Sequence, residues 1–302
     1  MQRVALKAYA KINLGLSVLG RRADGYHELR TIYQSISLAD RLEIRLTRGT
    51  ASVRLDAVSG FRVPAGHQNL AVRAAEAALQ ELGLRRQVFI SLDKRIPPGS
   101  GLGGASSDAA AVLRAVVYLS GKELPRHRLL RLAADLGSDV PFFLLGGRVL
   151  GLGRGEEIYP LPEMPRRDVV VLWPYEEMNT AEAYRLLRAP RLTAVRARPT
   201  IEWFCAGVME KSAVAMTNDF EPVVFRRYPQ LAEVKRFLLR SGAEVASLSG
   251  SGSALFGVFA DRWKARRAAV GLWRLVPKLP VFVGARHTTV SRKVFQAQLR
   301  SR

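Results

Sequence analysis

Pro97-Pro98-Gly99-Ser100-Gly101-Leu102-Gly103-Gly104-Ala105-Ser106-Ser107-Asp108 stands between a short apolar run, residues 88–92, and an alanine-rich run, residues 106–119, that stops before Gly121. The order reads as strand, glycine loop, helix, which is the order a phosphate cradle needs. Four glycines among positions 99–104 let backbone N–H groups converge with no Cβ in the way, and the following helix aims its unpaired N–H groups and positive dipole end at the same point. Ser106, Ser107 and Asp108 are expected to cap that helix, and a serine hydroxyl there can also reach a phosphate oxygen or a magnesium ion. No Lys-Ser or Lys-Thr follows the last glycine, so this is not a Walker A loop, and the glycine spacing is not that of a dinucleotide fingerprint. On the loop alone, a flexible turn capped by serines remains the plain alternative.

Outward from the loop, the chain alternates strand-like and helix-like segments. Ala10, Ile12, Leu14, Leu16 and Val18 are apolar while Lys11, Asn13, Gly15 and Ser17 are not, which predicts a half-buried strand. Turn residues at 21–25 precede a strand-like region over 31–55. Residues 69–82 predict a helix with Gly83 as its stop, and Pro125 opens another that ends at Gly137. A strand is expected at 169–172, with the proline-flanked segment 160–165 beside it as the domain junction. Helices are expected at 181–187, 201–211 and 231–239, and strands at 254–259 and 281–283.

The 302 residues allow two domains, and a composition 48% hydrophobic and 24% charged supports a sizeable core and excludes a disordered chain. No apolar stretch reaches the roughly 18 residues of a spanning helix, and no basic-then-apolar leader opens the sequence, so a cytoplasmic protein without a membrane partner is expected. Cys205 is the one cysteine, which fits a reducing compartment and a small buried hydrophobe, and no metal ligand set is expected from it and four scattered histidines. Net charge is +21, with 22 basic residues against 12 acidic in 1–150, 14 against 13 in 151–250, and 11 against 1 in 251–302. Such a field attracts nucleic acid, anionic membrane or phosphorylated small molecules alike; Arg266-Arg267 and Arg292-Lys293 lack the aromatic interleaving of a single-strand binder.

With its neighbours, the glycine loop resembles the Pro-x-x-x-Gly-Leu-Gly-x-Ser-Ser signature of the galactokinase, homoserine kinase, mevalonate kinase and phosphomevalonate kinase superfamily. Within it, Ala10-Lys11-Ile12-Asn13-Leu14, the run from Arg22 through Asp24-Gly25-Tyr26-His27-Glu28-Leu29, Gly137-Ser138-Asp139-Val140-Pro141-Phe142-Phe143, and the closing Ser249-Gly250-Ser251-Gly252-Ser253 are similar to the 4-diphosphocytidyl-2-C-methyl-D-erythritol kinases. Ala105 stands where a further glycine is common and Tyr9 where proline is usual. The resemblance implies two α/β (α+β) domains, 1–160 binding ATP and carrying the chemistry and 161–302 completing the substrate site, with the active site in the cleft between them. It implies a monomer or homodimer that transfers the ATP γ-phosphoryl group to the tertiary 2-hydroxyl of the cytidine-diphosphate methylerythritol substrate, with Mg2+.

Residue by residue, the resemblance makes Asp139 the base and Lys11 the group that orients it and stabilises developing charge. On sequence alone Asp139 before proline is an ordinary helix cap and Lys11 a solvated strand residue. Asn13 shares the lysine's side of the strand, about 7 Å along it. ATP falls to Pro97, Pro98, Gly99, Ser100, Gly101, Leu102, Gly103, Gly104, Ala105, Ser106 and Ser107, and to Asn69 at adenine, although Asn69 also suits a helix cap. Tyr26 and His27 match the cytosine site, Tyr184 a second stacking ring, Thr180 its companion, and Asn13 the substrate side of the cleft. Asn218-Asp219-Phe220-Glu221 reads as structural. The alternatives are another kinase of the superfamily or, in a different class, a basic nucleic-acid-binding protein.

Overall fold

The computed structural model describes residues 2–163, 165–175, 178, 180–187, 217–277 and 279–285. The helix expected at 201–211, and Cys205 with it, lie outside the described residues.

Two sheets organise the chain. The first holds β1 (Gln2–Arg21), β2 (His27–Arg48), β3 (Ser52–Gly60), β4 (Arg86–Lys94), β5 (Arg148–Gly153) and β6 (Glu157–Pro160). β1 pairs antiparallel with β2 over residues 27–35 and 39–46 of the latter, and the other edge of β2 takes β5 over residues 29–34 and β4 over residues 41–48. The second sheet is antiparallel, in the order β10 (Val281–Ala285), β7 (Asp168–Leu172), β9 (Leu255–Phe259), β8 (Val245–Leu248). Residues 161–167 join the two.

β1 departs from the half-buried strand that its alternation predicts. Up to Ala8 one face is inside and the other exposed, but residues 10–19 are buried on both faces. The apolar side packs successively on three clusters: Val4, Leu6 and Ala8 under the helices of the first sheet, then Ala10, Ile12 and Leu14 against Val169, Val171, Phe256 and Val258 of the second, then Leu16 and Val18 against Phe220 and Leu231. A register irregularity between Tyr9 and Lys11 marks the change of partner. The polar side, with Lys11 and Asn13, is therefore sealed inside rather than solvated.

α1 (Leu70–Glu81) is capped by the Asn69 side chain, which accepts from Ala71 N, and Gly83 at φ +60° ends it. Its buried Ala71, Ala74, Ala75 and Ala78 meet Ala109, Ala110 and Ala115 of α2 (Gly104–Ser120) in one cluster, small side chains that let the two backbones approach. α3 (Arg126–Leu136) and α4 (Val140–Leu145) complete that layer. α5 (Thr180–Leu186), α6 (Glu221–Arg227), α7 (Pro229–Arg240) and α8 (Arg262–Leu275) belong with the second sheet. The periodicity reading passes over α6 and α8. In α8 the buried Ala265, Ala268, Ala269 and Leu272 form a thin stripe among arginines, so the apolar signal is weak.

Candidate active site

The glycine loop is pinned from two sides. Lys11 N donates to Leu102 O (3.0 Å), while Ala254 N donates to Ser100 O (3.0 Å) and Ser249 Oγ to Gly101 O (2.9 Å). Gly101 and Gly103 have φ of +79° and +74°, and each is crowded. A Cβ on Gly101 would lie 2.0 Å from Ser249 O, and one on Gly103 would lie 2.6 Å from the Phe143 ring. Only glycine satisfies both the conformation and the approach.

The helix starts earlier than the sequence predicts, and its serines do not cap it. Gly103, in the left-handed conformation, is the N-cap of α2 and makes no side-chain cap. Ser107 Oγ donates instead to Tyr9 O (2.7 Å), tying α2 to β1. Asp108 meets Lys94 Nζ at 2.7 Å, and Lys94 also donates to Asp40. Burial pushes the Asp108 carboxyl up to about 8, against the pull of Lys94, while the two carboxylates outweigh burial at Lys94 and raise it.

Asp139 occupies the N-cap position of α4 without a side-chain capping bond, so the plain capping role falls away. Its Oδ1 accepts from Tyr33 OH (2.9 Å), and its Oδ2 lies 3.6 Å from Lys11 Nζ. The lysine side chain is 4% exposed and the carboxylate 30%, so the pair has a sealed end and an open end. Lys11 Nζ donates to Asn13 Oδ1 (2.6 Å), Asn13 Nδ2 to Thr31 Oγ1 (2.7 Å) and Thr31 Oγ1 to Gly15 O (2.8 Å). Burial lowers the Lys11 ammonium below the ordinary lysine value, opposed by Asp139.

The pair borders a cleft of about 1360 Å³, with the carboxylate on its open side. Lys11, Asn13, Tyr26, His27, Asn69, Thr180 and Tyr184 line it, as do Asp139, Pro97, Pro98, Gly99, Ser100, Gly101, Gly103, Gly104, Ala105 and Ser106. Leu102 and Ser107 do not: Leu102 is packed in the core with Ile12 and Ile96, and the Ser107 hydroxyl is spent on Tyr9. Asn69 is partly committed as well, accepting from Ala71 N and donating to Pro64 O (3.0 Å), which leaves one amide hydrogen for a ligand.

At the far end, His27 stacks on Tyr184 with centroids 4.5 Å apart and planes at 16°, and Phe220 meets the same tyrosine edge-on. Burial, then the Arg21 charge, lowers the His27 imidazole. Tyr26 is 57% exposed with the Arg154 guanidinium 4.8 Å over its ring. Thr180 Oγ1 and Ser251 Oγ are 3.1 Å apart. Asn218 has the structural role expected: its Nδ2 donates to Leu248 O (3.0 Å) and Gly250 O (2.8 Å), fixing the turn that carries Gly250 and Ser251 into the cleft.

Sequence reasoning missed Tyr33, Lys94 and Arg154 among the lining residues, and it expected Asp108 as a helix cap where the structure pairs it with Lys94. Tyr33 pairs directly with Asn13 across β1 and β2, so that register is the signal which would have found it.

The chain is similar to known proteins in both sequence and fold. Residues 69–147 match the GHMP kinases N terminal domain and residues 200–274 the GHMP kinases C terminal domain. A 4-diphosphocytidyl-2-C-methyl-D-erythritol kinase of Solibacter usitatus is 45% identical over 297 residues, 97% of this chain and 90% of its own length. One of Moorella thermoacetica is 44% identical over 283 residues, 92% of this chain and 98% of its own. A crystal structure of a 4-(cytidine 5'-diphospho)-2C-methyl-D-erythritol kinase superposes with a TM-score of 0.75 at 39% identity, covering 93% of this chain and 98% of that one. A homoserine kinase from Cytophaga hutchinsonii shares the fold, with a TM-score of 0.73 at 20% identity and coverage of 92% and 95%.

Proposed function

The chain belongs to the 4-diphosphocytidyl-2-C-methyl-D-erythritol kinases of the GHMP kinase family, and from that premise we propose how its residues divide the work. The reaction is the ATP-dependent phosphorylation of the methylerythritol 2-hydroxyl in the non-mevalonate isoprenoid pathway. The 2-oxygen forms a bond to the γ-phosphorus, the bond from that phosphorus to the β,γ-bridging oxygen breaks, ADP leaves, and the hydroxyl proton goes to Asp139. Lys11, held by Asn13, keeps a positive charge beside the reacting oxygens as negative charge develops on the transferred group.

The observation that carries this reading is the 3.6 Å separation of Lys11 Nζ and Asp139 Oδ2 at the edge of the glycine loop. Backbone amides of residues 99–104 and the start of α2 cradle the polyphosphate, with Asn69 toward adenine. Tyr26, His27, Thr180 and Tyr184 take the cytidine end, a neutral imidazole donating or accepting at the base while a ring stacks on it. Among the described residues no group of three or more His, Cys, Asp or Glu side chains forms a metal site. The residues lining the cleft fit a magnesium ion brought in with the phosphates, and Ser106 would be the residue to hold it on the protein side. When bound, that ion neutralises phosphate charge.

The remainder of the reading is a cytoplasmic monomer or homodimer divided at residue 160. Among the described residues no helix is long and apolar enough to cross a membrane. The test is direct: purified protein with ATP, magnesium and the cytidine-diphosphate substrate releases ADP in step with phosphorylated product. ADP release that ignores the cytidine substrate but follows another alcohol of the superfamily would overturn the substrate assignment.

A further inference from the structure

Tyr33 is a buried tyrosine whose hydroxyl donates to Asp139 Oδ1 at 2.9 Å, and two glycines make room for it. A Cβ on Gly155, which has φ +107°, would lie 2.3 Å from the Tyr33 hydroxyl oxygen, and one on Gly151 would lie 2.5 Å from the ring. Phe142 supports the ring at 4.9 Å between centroids, and Lys11 Nζ lies 5.6 Å from the ring centre. The phenol is thus fixed by its pairing opposite Asn13, by the cleared space on β5 and its turn, and by packing on α4, three elements of the first sheet's layer.

A carboxylate offers two equivalent oxygens and turns easily about its last bond. A base that must meet one hydroxyl gains from having that freedom removed. We infer that Tyr33 is a positioning residue for the phosphoryl transfer: its hydroxyl holds Asp139 Oδ1 and thereby presents Oδ2, the oxygen facing Lys11, as the acceptor of the substrate proton. The inference rests on the reading of Asp139 as the base. Burial and then the Asp139 charge raise the phenol well above the ordinary tyrosine value, so it remains a donor throughout the working pH range and does not compete for the proton.

The test compares Tyr33→Phe, Tyr33→Met and Asp139→Asn with the parent enzyme in steady-state assays of ADP release, with Tm recorded for each. Tyr33→Phe retains the ring and loses only the hydroxyl. It is expected to lower kcat about tenfold with both KM values within twofold. Tyr33→Met, which also lacks the hydroxyl, is expected to show the same split and serves if the Phe variant does not fold. A parental kcat in the Phe variant, or in the Met variant in its place, alongside an inactive Asp139→Asn overturns the positioning role and leaves the base assignment standing. A rise in KM for the cytidine substrate at unchanged kcat also overturns it, since the phenol would then be a binding contact. An active Asp139→Asn removes the base assignment itself.

Discussion

The carbonyl oxygen of Ser249 lies 2.0 Å from where a Cβ on Gly101 would stand, so the closing turn and the phosphate loop are packed backbone on backbone. Ser249 Oγ donates to Gly101 O across the same contact. Gly101→Ala must move one of the two loops and also hold alanine at φ +79°. The expected cost is about 3 kcal/mol, or a fall in Tm of roughly 5–10 °C, together with a higher KM for ATP. A calorimetric Tm within a degree of the parent would show that the contact yields easily.

Asp139→Asn retains size and polarity and removes the proton acceptor. Turnover should fall by about 10³-fold or more, while ATP binding measured by calorimetry stays close to the parent's. Near-parental turnover would take Asp139 out of the mechanism.

Tyr184 offers its ring beside His27 and is braced edge-on by Phe220. If that ring stacks on cytosine, Tyr184→Ala raises KM for the cytidine substrate by about 10- to 100-fold and leaves KM for ATP within twofold. Equal changes in the two KM values would move Tyr184 from the base to general support of the cleft.

The buried Asp108 binds its proton more tightly in the folded chain, at about 8, than an unfolded aspartate does near 4. A group raised in this way costs stability as pH climbs between the two values, because the folded state must keep the proton or carry a charge in a buried site while the unfolded state releases it freely. Tm should therefore decline from about pH 4 towards pH 8 and level off above. In Asp108→Asn that part of the decline should vanish. A parallel curve for the variant would assign the slope to other groups.

Lys11, Asp139 and the glycine loop could be singled out through the family resemblance, because each sits in a short motif whose neighbours are contiguous; on their own the first two read as a solvated strand residue and a helix cap. Tyr33 was not, because its partner is more than a hundred residues away and only the pairing of β1 with β2 brings it beside Asn13. The serines at 106 and 107 misled for a related reason. Serine before an apolar helix reads as a cap, yet the helix starts at Gly104, and Ser107 lies within hydrogen-bond reach of β1. Lys94 ends a strand and belongs to no motif, and Asp40 and Asp108 bury it. Charge had left a nucleic-acid binder open; the family assignment makes a kinase of polyanionic substrates of the same field.

The path of β1 bears on how the molecule can be divided. Ala10, Ile12, Leu14, Leu16 and Val18 serve the clusters of the second sheet, and Leu16 is hydrogen-bonded to Thr217 and Asp219 on either side. A protease or a gene designer cutting at residue 160 would leave the carboxyl-terminal fragment with an uncovered apolar floor and the amino-terminal fragment with a bare greasy ribbon. Neither piece is expected to survive alone, so melting should proceed as one event, and complementation would require both pieces to be made together.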